Sequence, residues 1–129
     1  MEEENKIADN KIDNDASYSE YRKKLEDYNN KIDAEKDKIK DLEDIEDLYV
    51  SLNKSINECV SILRDSVKGK NVTNKLNAIE ENNAINLNKT ISDIDIKRND
   101  IKNNIVLLNN EKDKYEENFR EKNTTEEGE

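Results

Sequence analysis

The sequence predicts an all-α protein: a long antiparallel two-helix hairpin, coiled-coil-like, that would complete a larger bundle with a partner. Among the 129 residues there is no proline and there are only two glycines, so the residues that make turns are almost missing. Charged residues make up 42% of the chain and hydrophobic residues 32%, which is too little apolar surface for a layered globular core. Apolar residues nevertheless recur at helical spacing along two stretches, which is not expected of a disordered chain.

The first helix is predicted over residues 16–67. Its apolar residues alternate steps of three and four, except for two consecutive three-residue steps at Ile39, Leu42 and Ile45. Glu35 is the one polar residue in this series. The predicted contact positions are 18, 21, 25, 28, 32, 35, 39, 42, 45, 49, 52, 56, 59 and 63. Cys59 belongs to the series, which predicts a small buried thiol rather than a reactive one.

The second helix is predicted over residues 72–122, and its apolar residues follow the same steps from Ala84 to Phe119. Arg98 and Lys112 interrupt the series, and both have long aliphatic stems that can pack while the charge reaches solvent. The predicted contact positions are 84, 87, 91, 94, 98, 101, 105, 108, 112, 115 and 119.

Residues 68–71 are predicted to form the turn. Gly69 stands where the C′ glycine of a first helix is expected, directly after Val67 and Lys68, and Asn71 or Thr73 is suited to cap a second helix. Facing residues of such a hairpin should have numbers that sum to about 140. The pairs predicted in this way are Leu63 with Leu76, Leu52 with Leu87, Ile45 with Ile94, Ile39 with Ile101, Ile32 with Leu108, Leu25 with Tyr115, and Tyr21 with Phe119.

Several residues carry no part of this periodicity. Residues 1–15 and 123–129 are polar and charged, and we expect an acidic disordered tail at the start and a disordered tail at the end. The acidic start, without an apolar stretch, predicts a cytoplasmic protein rather than one with a cleaved signal.

The residue counts argue against enzymatic and metal chemistry. There is no histidine and one cysteine, so the usual metal-ligand clusters and nucleophile pairs are missing, and we predict no catalytic residue, no metal and no cofactor. A net charge of −10, with basic residues dispersed among the acidic ones, disfavours nucleic-acid binding. The apolar run Ile105–Leu108 is too short to span a membrane, for which about 20 residues are needed.

A partner surface is predicted on the outside of the hairpin. On the second helix, Ala78, Ile85, Ile96 and Leu107 fall on one line opposite the contact positions. On the first helix, apolar residues flank the contact positions near the turn, namely Leu48, Val50, Val60 and Ile62. Apolar side chains on the back of a two-helix hairpin predict contact with another helical protein, and a homodimer is an alternative.

A helical hairpin with a central x-x-Gly turn, here Val67-Lys68-Gly69, resembles the Trp-x-Gly hairpin superfamily of bacterial type VII secretion. It is most similar to the small helical partner proteins of LXG-type toxins. The resemblance covers residues 18–120 and is one of shape, since Val67 stands in the tryptophan position and Phe119 stands where an acidic residue would complete an export signal after Tyr115. It implies a non-enzymatic adaptor that binds the helical N-terminal domain of a toxin, promotes its export, and either stays in the cytoplasm or leaves with its partner.

The competing interpretation is a self-associating cytosolic structural or chaperone coiled coil, of the phage or scaffold type. The prefoldin subunits are the nearest chaperones in size, but residues 64–76 lack the alternating pattern of their strand hairpins.

Overall fold

A computed structural model describes the backbone of residues 2–127 and the side chains of residues 17–123. Within that part of the chain, the backbone forms two α-helices and no strand. Helix α1 runs Glu2–Ser66 and helix α2 runs Lys70–Glu127. The helices pack against each other as a hairpin, which confirms the predicted all-α two-helix architecture.

Both helices extend beyond the predicted bounds. Helix α1 begins at Glu2 rather than at residue 16, and helix α2 ends at Glu127 rather than at residue 122. The predicted disordered tails, residues 1–15 and 123–129, lie outside the residues whose side chains are described, apart from residue 123. In the described backbone, residues 2–15 and 123–127 are helical where the sequence predicts disordered tails.

The turn consists of the three residues between Ser66 and Lys70. The N–H of Val67 donates to the carbonyl of Leu63 at 2.8 Å, so Val67 closes the last turn of α1. The N–H of Thr73 donates to the carbonyl of Gly69 at 3.0 Å, which is the first hydrogen bond of α2. Gly69 is therefore the N-cap residue of α2, and its predicted place as the C′ residue of α1 is wrong.

Gly69 also has an unusual backbone conformation, with a φ of 158°. No other residue in the described backbone has a positive φ. A Cβ built at Gly69 would meet no atom within 4 Å, so a side chain would be opposed by the backbone conformation and not by a clash. Asn71 and Thr73 lie inside the first turn of α2 and do not cap it, contrary to the prediction.

Contacts divide the chain into two units, each of which pairs a piece of α1 with a piece of α2. The terminal unit combines Met1–Lys36 with Asn103–Glu129, and the turn unit is Asp37–Lys102. In the terminal unit, the side chains predicted to face the other helix are buried or half-buried, except Tyr18, which is 52% exposed. Those that agree with the prediction are residues 21, 25, 28, 32 and 35 of α1 and residues 105, 108, 112, 115 and 119 of α2.

In the turn unit, α2 also follows the prediction closely. Residues 87, 91, 94, 98 and 101 are buried or half-buried, as the periodicity predicts. Ala84 is exposed, and its neighbour Asn83 is half-buried in its place.

Beyond Leu42 the prediction for α1 is wrong at every contact position except Ile56, which is half-buried as predicted. The residues that face α2 in the turn unit are those of the inner seam, which comprises Ile39, Leu42, Glu46, Asn53, Ile56, Val60 and Arg64. Up to Val60 this series advances by steps of three and four residues in turn, with one step of seven between Glu46 and Asn53. The irregular step predicted at Ile45 therefore does not occur. Val60 is 3% exposed and belongs to the core, whereas it was predicted to flank the contact positions.

Residues predicted to face α2 are displaced by this shift. Ile45 is 41% exposed, Leu52 56% and Leu63 45%, and Cys59 is exposed rather than buried. Tyr49 is likewise exposed, at 44%. The predicted partners Leu76 and Ile94 are buried at 4% and 5%, so the pairings fail on the α1 side alone.

We predict that Gly69→Val lowers the free energy of unfolding by about 1 kcal/mol, because a β-branched residue disfavours the positive φ of this position. Urea denaturation followed by circular dichroism measures the change. Lys68→Val is the matched control, since it places the same side chain at a neighbouring turn residue whose φ is not positive. Equal losses in the two variants would contradict the role given to the backbone of Gly69.

Candidate partner-binding surfaces

An ion pair lies between the helices of the turn unit where the prediction expected apolar contact. The Nη2 of Arg98 on α2 donates to Oε2 of Glu46 on α1 at 2.7 Å, and its Nη1 donates to Oδ1 of Asp95 at 3.2 Å. The side chains of Arg98 and Glu46 are 21% and 27% exposed. The hydrogen bond to Glu46 raises the pKa of the Arg98 guanidinium above its ordinary value, and the nearby carboxylates add to this effect.

This pair explains the position of α1. Arg98 sits among the contact residues of α2, where its charge needs a carboxylate partner, and Glu46 supplies one from the inner seam. The predicted register, in which facing residue numbers sum to about 140, places Arg98 opposite Leu42 and beside Asp41, whereas the structure pairs Arg98 with Glu46. With Glu46 turned inward, Ile45 is left on the outside.

A second polar cluster joins the helices near the turn. The Nη2 of Arg64 donates to Oδ1 of Asn77 at 2.6 Å and to Oε2 of Glu80 at 2.9 Å. Between the two arginines, Asn53 occupies a half-buried position of the inner seam, and its Oδ1 is buried without a hydrogen-bond partner. The inner seam of α1 is therefore polar at three of its positions in the turn unit.

The inward rotation leaves a second row of apolar side chains outside. We call this row the outer seam, and it comprises Ile45, Leu48, Leu52, Cys59 and Ile62. Leu48, Leu52 and Ile62 are 69%, 56% and 62% exposed. The steps are three, four, seven and three, and Ser55 fills the remaining heptad position, so the row is a regular heptad stripe. It is rotated by about 100° from the inner seam, since Ile45, Leu52 and Cys59 directly precede the inner-seam residues Glu46, Asn53 and Val60.

Acidic side chains border the outer seam on its solvent side. Asp44, Asp47, Glu58 and Asp65 occupy the positions adjoining the stripe, and Lys54 is the one base among them. All five are exposed. None of the four carboxylates forms an ion pair or side-chain hydrogen bond within residues 17–123. The outer seam is thus an apolar row bordered by four carboxylates and one lysine, so its edge carries a net negative charge.

The residues that the sequence predicts for the partner surface are exposed, except Val60, which lies in the core. On α2, Ile85 and Ile96 are each 58% exposed and Leu107 59%, and Ala78 is also exposed. Their role stays a prediction, but Leu107 belongs to the terminal unit while the other three belong to the turn unit. Ile85 and Ile96 are eleven residues apart, and the positions between them on that face are polar, namely Asn88, Lys89, Ser92 and Asp93, so they form no continuous stripe.

On α1, Val50 is 46% exposed and Ile62 is a member of the outer seam. The outer seam was missed because Ile45, Leu52 and Cys59 were assigned to contact with α2. Two observations identify the outer seam. Its residues form a second heptad series one residue out of phase with the inner seam, and Arg98 pairs with Glu46 of the inner seam.

The aromatic residues of the terminal unit contact one another. Tyr21 stacks on Phe119 with ring centroids 3.9 Å apart and planes at 8°, which is the facing pair predicted from the register. Tyr115 lies 5.6 Å from Tyr21 and 6.3 Å from Tyr28, and Nζ of Lys24 lies 4.9 Å from the Tyr115 ring centroid. Burial, followed by the charge of Glu116, raises the pKa of the Tyr21 hydroxyl. These rings pack against one another and connect the two helices of the terminal unit.

Comparison with known proteins yields no assignment. No protein-family model matches the sequence, and no curated protein or solved structure is significantly similar to it. Among the described residues, neither helix holds a stretch both long enough and apolar enough to cross a bilayer. The same residues bring together no group of three or more side chains suited to bind a metal.

We predict that Arg98→Leu lowers the melting temperature, because it leaves the Glu46 carboxylate between the helices without its cation. The double variant Glu46→Leu/Arg98→Leu should melt at or above the wild-type temperature, since two apolar residues then meet in the inner seam. Lys97→Leu is the matched control at an exposed neighbouring position. Thermal unfolding followed by circular dichroism measures the melting temperatures. Equal melting temperatures for Arg98→Leu and the double variant would contradict the ion pair between Arg98 and Glu46.

Phe119→Ala should lower the free energy of unfolding by about 2 kcal/mol, because it removes the ring that stacks on Tyr21. Tyr18→Ala should cost about 0.5 kcal/mol, since that ring is half-exposed and stands 6.2 Å from Tyr21. Urea denaturation compares the two. The reverse order would show that the stack contributes little to the terminal unit.

Proposed function

We propose that this protein is a non-enzymatic helical adaptor that binds the helical domain of another protein. The observation that carries the proposal is the set of large aliphatic side chains that the hairpin leaves exposed at helical spacing, of which Leu48, Leu52 and Ile62 are more than half exposed. Exposed apolar rows on a helical surface are the usual docking sites for amphipathic helices.

The small core of the hairpin supports this proposal. In the part of the chain whose side chains are described, the buried hydrophobic residues are Ile32, Val60, Leu76 and Ile94. Helices of this kind gain most of their stability from packing an apolar face, and one shared seam gives each helix a single narrow contact. A third helix on an exposed row would add the burial that a two-helix hairpin lacks.

For the partner, we propose the helical N-terminal domain of an LXG-type toxin of type VII secretion, whose export the adaptor would promote. The support is the two-helix hairpin and the turn sequence Val67-Lys68-Gly69, which stands between the helices where the resemblance requires it. The net charge of −10 would give such an adaptor long-range attraction for a basic partner.

The test is the state of assembly alone and with a candidate partner. We expect light scattering to find a monomer or weak dimer for the purified protein. Coexpression with the helical N-terminal domain of a toxin encoded by a neighbouring gene should give a one-to-one complex. A stable homo-oligomer that does not take up this domain would contradict the adaptor role and favour a self-associating scaffold.

A further inference from the structure

The outer seam suggests the chemistry of the partner helix and the place where it docks. We infer that the outer seam binds an amphipathic helix from another protein, with an apolar stripe flanked on one side by lysine or arginine residues. This inference rests on the proposed adaptor function and specifies its contact surface.

The geometry of the row suits a helix rather than a strand or a small ligand. The side chains from Ile45 to Ile62 stand on one helical stripe about 26 Å long, at 1.5 Å per residue. Helix-in-groove recognition uses anchors at steps of three, four and seven residues, which are the steps of the outer seam. The exposed side of α2 in the turn unit offers Ile85 and Ile96 without such continuity.

The charges beside the row select the partner's flank. Asp44, Asp47, Glu58 and Asp65 are exposed and without ion-pair partners in the described side chains, and Lys54 offsets only one of them. A basic flank would pair with these carboxylates as the apolar stripes meet. A second copy docking antiparallel through the same row would bring the acidic edges together, and in either orientation two copies with a net charge of −10 would repel each other, which favours a different protein as the occupant.

Cys59 gives this surface its own reporter. It is the single cysteine of the chain, it is exposed, and it stands between Leu52 and Ile62 in the outer seam. A helix seated on the row would shield its thiol from a soluble alkylating reagent, whereas a helix bound elsewhere would leave the reaction rate unchanged.

The experiment uses the full chain and two synthetic helical peptides of about three heptads with the same leucine stripe. One peptide carries lysine and arginine beside the stripe, and the other carries glutamate at those positions. Fluorescence anisotropy measures binding, and alkylation with iodoacetamide measures the reactivity of Cys59. We expect the basic peptide to bind at least about tenfold more tightly than the acidic one. Binding of the basic peptide should weaken as the salt concentration rises. At saturation it should slow alkylation of Cys59 by about tenfold.

Two pairs of variants locate the contact. Leu52→Ser/Ile62→Ser should weaken binding of the basic peptide by about tenfold or more, whereas Ile85→Ser/Ile96→Ser on α2 should leave it unchanged. Asp47→Lys/Glu58→Lys should weaken it more than Asp93→Lys/Asp100→Lys, although both variants have the same net charge. Circular dichroism confirms that each variant keeps its helices.

The inference would be overturned by equal binding of both peptides, by binding that leaves Cys59 fully reactive, or by loss of binding in the α2 variant instead of the outer-seam variant. A homodimer that shields Cys59 would also overturn it, by making a second copy the occupant. The adaptor function is judged separately with the toxin domain. A one-to-one complex that survives Leu52→Ser/Ile62→Ser retains the function and refutes this surface, whereas peptide binding at Cys59 without a toxin complex retains the surface and refutes the proposed partner.

Discussion

The ion pair between Arg98 and Glu46 is the constraint on which the arrangement of the turn unit depends. The guanidinium of Arg98 lies among the contact residues of α2, and its Nη2 donates to Oε2 of Glu46 at 2.7 Å. With Glu46 facing α2, the part of α1 that follows is rotated by about 100°, the angle of one residue, from the orientation that would bury the most apolar surface. Asn53 and Arg64 then face α2, while Leu52 and Cys59 face outward.

The regular helical repeat favours the same phase. A seam that passed through Ile39, Leu42 and Ile45 would need two consecutive three-residue steps, which locally overwind a coiled coil. Continuing through Glu46 keeps the alternating steps and costs apolar burial instead. Polar residues in a helix–helix seam fix the register at some cost in stability. In this protein the alternative register, with Ile45 facing α2, is the one that would bury the outer seam. The same interaction therefore sets the packing of the hairpin and exposes the surface proposed for the partner.

How much could be predicted from the sequence differs between the two units. The helices, the turn region around Gly69, the α2 contacts from Leu87 to Phe119 and the stacking of Tyr21 on Phe119 all follow from periodicity and register. The α1 contacts beyond Leu42 do not, apart from Ile56, because counting apolar residues favours Ile45 over Glu46 as the contact position, although Glu46 is the residue that pairs with Arg98. The cap position of Gly69 was also missed, since a glycine just past a helix fits either the end of that helix or the start of the next when only three residues separate them.

The candidate site was predictable only in part, and the reason bears on how such a protein works. Seven of the eight residues predicted on the outside are exposed, but the sequence alone does not decide between a sparse line on α2 and a continuous row on α1. Two heptad series overlap along α1. The outer seam can be recognised only after the other series, the inner seam, has been identified as the one that contacts α2. A helix that carries two such series about 100° apart can satisfy one of them within a two-helix hairpin, and the other needs a third helix. In this chain the series left outside is the more apolar one, because the inner series holds the charges that fix its register. The residues that specify the hairpin and those available to bind a partner are thus separated on one helix, so partner binding need not disturb the pairing of Arg98 with Glu46.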